Sequence, residues 1–248
     1  MERTEAILEP QDYAAPTPSN SSDIFFPFYD ADPNRPFIVA QIGQSLDGRV
    51  ATISGESRDI SGAAGLDHLH RLRAHVDAVI IGTGTIIADD PQLTVRRTKG
   101  NSPARVVIDS SGRLGSLGKW LACDGARRIL ITTAPAAVPS GVETIQLAAK
   151  NGKIEPKAIV EALFARGLSR LLIEGGPRTL AGFIDAGCID RLHVLVAPVI
   201  IGSGRSGFEL SPVPELKLAR RPRTKVYFLG GGDVLFDCDL STCPQQSN

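Results

Sequence analysis

The chain has 248 residues, 42% hydrophobic and 22% charged, with 27 Lys and Arg against 27 Asp and Glu and a pI near 6.9. That length supports one large domain or two small ones with a real core. The charge balance excludes a global pull on nucleic acid or an anionic membrane, and no stretch reaches the roughly 18 to 20 apolar residues of a membrane span.

Residues 1–35 read as an extension. Its start, MERTEAILEPQDY, lacks a basic-then-apolar targeting pattern. The run PQDYAAPTPSNSSD is rich in Pro, Ser and Asn and should be extended or disordered. The following IFFPFYD is apolar and aromatic, so it should dock on the body or on a partner.

Residues 36–248 form the domain proper. FIVAQIG reads as a strand and AAGLDHLHRLRAHV as a helix starting near Ser61. DAVIIG, ARVVIDS and RRILITT read as strands. EPKAIVEALFARG is a helix with Pro156 in its first turn and Gly167 at its end. RLLIEGG is a strand, RTLAGFIDAG a helix and DRLHVLVAPVIIG a long apolar strand, interrupted by Pro198. RTKVYFLGGGDVLFDCDL reads as a hairpin turning on Gly230 to Asp233. Strands separated by helices predict an α/β fold with a mainly parallel sheet flanked by helices, closed by a C-terminal antiparallel hairpin.

The four cysteines, Cys123, Cys188, Cys238 and Cys243, contain no Cys-x-x-Cys pair, so neither a zinc cluster nor a redox pair is indicated. Free thiols fit a cytoplasmic protein. His68 and His70 are two apart on the first long helix and do not share a face, which argues against a metal pair. His193 alternates within a strand and reads as structural.

In open α/β sheets ligands bind beyond the C-terminal strand ends, and three such ends carry unusual residues. In IIGTGTIIADDPQLTVR, Gly82 and Gly84 could admit a phosphate or form a plain tight turn. Pro91 limits any following helix to about one turn, against a standard dinucleotide motif. In LLIEGGPRTLAGF, the strand, Gly175 and Gly176, and a helix started near Pro177 or Arg178 make a better phosphate cradle, although a sharp turn also explains the glycines. Glu174 could cap nearby N–H groups, bind ligand hydroxyls or move a proton. The third end, QSLDGRVATISGESRDIS, has a turn signal at Asp47-Gly48 and a cluster of hydroxyls and charges suited to a sugar phosphate. On the first long helix, Leu66, Leu69, Leu72 and Val76 fall on one face, with Arg73 at its edge, able to bury its stem and present its fork to an anion.

SLDGRVA, GESRDIS, IIGTGTIIADDPQLTVR, RVVIDSSGRL and LLIEGGPRTLAGF occur in that order and resemble the reductase domain of riboflavin biosynthesis from Pro36 onward. The run GTxxADDPxLTxR, from Gly84 to Arg96, is specific to that family. The resemblance implies a dihydrofolate-reductase-like fold and NADPH-dependent reduction of 5-amino-6-(5-phosphoribosylamino)uracil to the ribitylamino product. It implies that Gly82, Gly84, Thr85, Asp89, Ser110, Gly175, Gly176, Pro177, Arg178 and Thr179 face the cofactor, with Asp59 where some members place an aromatic cofactor contact. Ser57, Arg73, Leu93, Arg96 and Glu174 match substrate positions, with Arg73 and Arg96 expected on the substrate phosphate. Glu174 is the candidate for proton transfer and Asp47 the weaker alternative. Arg113 is a candidate for the charge that would select NADPH.

The zinc deaminase signature that precedes this domain in many bacterial members is absent, so the chain resembles a stand-alone form. Gln41 stands where many two-domain members have a lysine. The family commonly forms homodimers, and the Leu192–Ile201 run could serve a shared sheet. A reductase of the same fold acting on another pyrimidine, pterin or small carbonyl compound, and a non-catalytic nucleotide-binding protein, are the alternatives.

Overall fold

The computed structural model describes residues 23–114, 118–135 and 138–243; most of the segment expected to be extended or disordered lies outside them. The strands are β1 (Phe37–Ser45), β2 (Arg49–Ala51), β3 (Ala78–Gly82), β4 (Ala104–Asp109), β5 (Arg128–Thr132), β6 (Val142–Gln146), β7 (Ala149–Lys150), β8 (Lys153–Ile154), β9 (Arg170–Ile173), β10 (Arg191–Ala197), β11 (Arg205–Ser206), β12 (Arg223–Phe228) and β13 (Val234–Asp239). The α-helices are α1 (Phe26–Tyr29), α2 (Ala63–Ala74), α3 (Thr83–Asp89), α4 (Pro156–Phe164) and α5 (Pro177–Asp185).

Nine strands form one sheet in the order β12-β13-β10-β1-β9-β3-β4-β5-β6. β10 through β6 in that order run parallel, and β13 and β12 add antiparallel. This is the mainly parallel sheet with a C-terminal antiparallel pair that the alternation of elements predicts. Its central strands are almost continuously apolar because both faces are covered. On one face Ile80, Val106 and Ile173 pack against Ile159 and Leu163 of α4 and Leu180 and Phe183 of α5. On the other, Val39, Val79 and Leu172 pack against Leu72, Ile86 and Trp120.

Four elements differ from the sequence expectation. β10 stops at Ala197, before Pro198, and lies inside the sheet between β1 and β13, so the Leu192–Ile201 run is not an edge open to a second sheet. β6, with the polar sequence VETIQ, is an edge strand that hydrophobic patterning does not reveal. α3 has seven residues rather than one turn, because it starts already at Thr83 and runs to Asp89, with Pro91 stopping it only past the C-cap Asp90. On α2, Leu66 is exposed, and the buried side is made by Gly65, His68, His70, Leu72 and Arg73.

IFFPFYD docks on the body. Phe25 and Phe28 are buried in the second core; the Phe25 ring stacks on His75 at 4.3 Å, and the Arg71 guanidinium lies 4.4 Å from its centroid. Beneath them a polar row crosses the sheet. Gln41 is in register with His193, and His193 with Asp237. Asp237 accepts from His193 Nε2 at 3.2 Å and from Arg191. His193 therefore presents Nδ1 as the acceptor to His68 Nε2 at 3.1 Å. This is the structural role the alternation of His193 suggested.

Burial, His193 and Arg71 hold His68 at a pKa of about 3, and burial with Arg73, Arg96 and Arg97 holds His70 at about 4. Unfolded imidazoles protonate near 6.5. The unfolded chain thus binds more protons below that pH, and the contribution of these histidines, complete above about pH 6.5, is lost as pH falls towards 4 and then 3. Urea unfolding should show a midpoint that drops between pH 7.5 and 5, with a shallower drop in His68→Gln. Equal slopes in both proteins would remove His68 from this role.

Candidate functional site

A cleft of 1430 Å³ opens beyond the C-terminal ends of β1, β9, β3 and β4. It exceeds the volume a single small ligand occupies. Ser57, Leu93 and Glu174 line it, as do Gly82, Gly84, Thr85, Asp89 and Ser110 from β3, α3 and β4. So do Gly175 to Thr179 at the start of α5. Asp47, Asp59, Arg73 and Arg96 are not among the lining residues.

The glycines permit a close convergence of two helix starts. A Cβ on Gly82 would lie 2.6 Å from Thr179 Oγ1, and one on Gly175 would lie 2.5 Å from Thr179 Cβ. Any side chain there would push α5 away from the sheet. Gly176 N–H donates to Thr85 Oγ1 at 3.1 Å, which ties the turn before α5 to α3. The N-caps Gly82 and Gly176 are extended and neither helix has a side-chain cap, so first-turn N–H groups are left for a ligand. A Cβ on Gly84 would meet nothing within 4 Å, so the backbone is open there. Ser57 Oγ donates to Asp89 Oδ1 at 3.3 Å, joining a residue expected on the substrate to one expected on the cofactor.

The other end of the cleft is organised by charge. Arg73 Nε and Nη2 donate to the two oxygens of Glu174 at 2.7 and 2.6 Å, and Nη1 donates to Thr94 O at 3.0 Å. Both side chains are 7% exposed. Burial opposes the charge on Arg73, but Glu174 outweighs it and raises its pKa. The fork that helix spacing placed at a rim, free for a phosphate, is instead committed: α2 turns further inward than the leucine pattern implied, and Glu174 takes both nitrogens.

Arg96 remains. Its Nη1 donates to Thr94 Oγ1 at 2.7 Å, and it has no carboxylate partner among the described residues. Burial and the Arg73 cation both lower its pKa, so an anion beside it would relieve a repulsion. His70 fixes its backbone, with Arg96 N–H donating to His70 Nδ1 at 2.9 Å.

The loop before it is unusual. Asp90 (φ 41°) and Leu93 (φ 57°) are left-handed on either side of Pro91, and Leu93 is buried in the second core while facing the cleft. Asp90 does more than shape the turn, since its carboxylate accepts the Lys119 N–H at 2.7 Å.

Asp47 is committed elsewhere. It accepts from Ser45 Oγ, Ile201 N and Gly202 N at 2.6, 3.1 and 2.7 Å, and the Ser45 bond first, with Ile201, holds its pKa at about 2. It fastens the β1–β2 turn to the loop after β10. Asp59 (φ 64°) is exposed and stands off the cleft.

Gln41 is a lining residue whose role the patterning did not reveal. It is 9% exposed, and among the described residues its carboxamide makes no hydrogen bond. A glutamine in the middle of an apolar strand was the available signal.

Removing one partner from a buried ion pair leaves an uncompensated charge, whereas replacing both with apolar residues is close to neutral. Arg73→Met and Glu174→Leu should each destabilise by about 3–5 kcal/mol, and the double variant by much less than their sum. Additive losses in urea unfolding would show that the pair is not coupled.

The description "RibD C-terminal domain" matches residues 36–231. A 2,5-diamino-6-ribosylamino-4(3H)-pyrimidinone 5′-phosphate reductase of Methanothermobacter thermautotrophicus is 30% identical over 213 residues, covering 82% of this chain and 97% of that protein. The riboflavin biosynthesis protein RibD of Aquifex aeolicus is 35% identical over 211 residues, covering 82% of this chain and 57% of that one. The crystal structure of a Thermotoga maritima diaminohydroxyphosphoribosylaminopyrimidine deaminase/5-amino-6-(5-phosphoribosylamino)uracil reductase superposes with a TM-score of 0.71 at 28% identity, covering 87% of this chain and 59% of that one. No helix among the described residues is long and apolar enough to cross a membrane. With the family description matched over 196 residues of continuous chain and the same sheet built from them, this chain belongs to the RibD C-terminal domain family, whose riboflavin-biosynthesis members are reductases.

Proposed function

We propose that the protein uses NADPH to reduce the ribosyl group of a 6-(5-phosphoribosylamino)pyrimidine to the ribityl chain in riboflavin biosynthesis. The observation that carries the reading is one cleft joining a bare helix-start cradle to a sugar-phosphate end built on Glu174, Ser57 and the neighbouring Arg96. The reaction needs the ribosylamine open as an imine. A hydride and a proton then convert the C1=N bond to CH–NH, hydride going to C1 and the proton to nitrogen.

The residues fit a dinucleotide. Gly84 is open, the start of α5 has unpaired N–H groups, and Gly82 and Gly175 let the two helix starts close on a pyrophosphate. Thr85, Asp89, Ser110 and Pro177 to Thr179 would complete the cradle. When bound, the nicotinamide supplies the hydride.

The chain's own groups bind and orient. Arg96 takes the substrate phosphate, with Ser57 beside it, and Leu93 forms the apolar wall. Glu174, clamped by Arg73, keeps lone pairs for the hydroxyls of the opened sugar, and a clamped carboxylate is better suited to accepting those bonds than to donating a proton. Arg73 is a positioning residue. The Gln41 carboxamide offers one donor and one acceptor to the lactam edge of the pyrimidine.

A second reading exchanges the uracil for its 2,5-diaminopyrimidinone precursor. The favouring observation is coverage, since the relative that carries that substrate in its name is matched over 97% of its length by this chain.

Purified protein should oxidise NADPH, read at the nicotinamide band, with one of these two phosphoribosylaminopyrimidines. Arg96→Ala should lower kcat/KM roughly 10- to 150-fold, the value of one charge-assisted contact. Turnover of neither pyrimidine, together with turnover of another carbonyl substrate, would reject the proposal, and an unchanged KM in Arg96→Ala would remove Arg96 from the phosphate.

The assembly we propose is a homodimer. In place of the interior β10, the edge strand β12 carries the support: Phe228 is 84% exposed and Val226 stands exposed beside it on the same face. Sedimentation should give twice the chain mass, and Phe228→Glu should shift it towards one. A monomer at micromolar concentration would refute this.

A further inference from the structure

We infer that Phe25 and Tyr29, in the aromatic strap ahead of β1, are positioning residues that act through α2 on Arg96, an inference that rests on the placing of the substrate phosphate at Arg96. The strap precedes residues 36–231, so it stands outside the stretch that the family description covers. Asp23 starts it: its carbonyl accepts the Phe26 N–H at 2.9 Å and its Oδ1 the Phe25 N–H at 3.1 Å. The single turn of α1 follows. Phe25, at its N-cap, and Phe28 are buried, while Phe26 and Tyr29 stay at the surface.

The strap bridges the start of β1 to the last turn of α2. Phe28 meets Phe37, the first residue of β1, edge-on at 5.3 Å. The Phe25 ring, stacked on His75 and covered by the Arg71 guanidinium, also lies 5.8 Å from the His68 ring. The Tyr29 hydroxyl meets His75 Nε2 at 2.8 Å. His75 Nδ1 donates to Arg71 O at 2.7 Å, which turns the ring towards the strap.

These contacts fall on one side of α2. His68, Arg71 and His75 are spaced i, i+3 and i+7 and share a face. His70 and Arg73 lie on nearly the opposite face of a helix with 3.6 residues per turn. There Arg73 holds Glu174 and Thr94 O, and His70 accepts the Arg96 N–H. The helix is thus gripped from both sides. Its start is also tied by the Gly62 N–H, which donates to Asp233 Oδ2 at 2.9 Å, and its middle by the bond from His68 to His193. The last turn carries Arg73, and there Phe25 and Tyr29 supply the opposing grip.

Hydrophobic contact with the sheet is non-directional, so it holds α2 down without fixing it sideways. The bonds made by Arg73 and His70 are directional and weaken steeply when misaligned. Without the Phe25 ring, the last turn gains room to roll into the emptied space, away from Thr94 and Arg96. The phosphate end of the cleft then loosens. The helix-start cradle does not, because it is held by Thr179 against Gly82 and Gly175 and by the bond from Gly176 to Thr85, none of them on α2.

The test uses the full chain with Phe25→Ala, Tyr29→Phe and, as the conservative control, Phe25→Leu, at a temperature where thermal unfolding shows all of them folded. Amide exchange by NMR comes first, because it needs no turnover. The Arg96 amide should exchange roughly 10-fold faster in Phe25→Ala, less so in Tyr29→Phe and near the native rate in Phe25→Leu, while the Gly176 amide keeps its rate. In kinetics, Phe25→Ala should raise KM for the phosphorylated pyrimidine roughly 10-fold, within the ~100-fold that a misplacement of about 1 Å costs, and leave the Kd for NADPH unchanged. In an Arg96→Ala background the same substitution should add nothing to KM, whereas a purely structural role gives equal losses in both backgrounds. Native protection of the Arg96 amide in Phe25→Ala overturns the inference, as does equal acceleration of Arg96 and Gly176, or an unchanged KM beside a faster Arg96 amide. A native chain that turns over neither pyrimidine rejects the reductase reading instead, and the amide rates still decide whether the strap is coupled to Arg96.

Discussion

One ion pair organises one end of the cleft in this protein. Arg73, on a helix that precedes β3, holds both oxygens of Glu174, which lies just past the end of β9. Two nearly dry charges have no substitute for water except each other, so their separation fixes where α2 sits against the sheet. Much follows from that placement. The same arginine holds Thr94 O, and so fixes the loop segment that delivers Arg96. His70, one turn earlier on α2, holds the Arg96 backbone. His68 on the same helix bonds His193, which in turn bonds Asp237. The candidate site is thus the exposed end of a buried polar layer.

The other end of the cleft depends on a different constraint, the closeness of backbones. Thr179 sits where side chains on Gly82 and Gly175 would be, and this is what brings the starts of α3 and α5 together. The glycines do not act chiefly as flexible turns, since Gly82 and Gly176 are in ordinary extended conformations. They act through the absence of a side chain. Composition alone offers no way to tell these two uses of glycine apart.

The buried strands were legible in the sequence because strands covered on both faces have no polar positions to disguise them. The turn at Gly175–Gly176 and the helix start after it were legible for a related reason: a strand, two glycines and Pro177 leave few other conformations. What was hidden had its energy in distant pairs. The committed fork of Arg73 depends on Glu174, 101 positions later, and no local pattern encodes that contact. The exposed Leu66 and the buried histidines of α2 reversed the usual reading of the helix, because the His68–His193 bond makes an imidazole a core residue. β6 was missed because an edge strand with one solvated face needs few apolar residues.

The segment from Asp90 to Leu93 has a consequence of another kind. Two non-glycine residues sit in the left-handed region around a proline, and each such residue costs of order 1 kcal/mol or more. Leu93 is held there because its side chain is packed on one side and forms a wall of the cleft on the other. Substitutions that relax this backbone would stabilise the fold while loosening the wall. Selection for heat resistance in this protein would therefore meet a cost to the cleft in this four-residue loop, which lies outside the sheet.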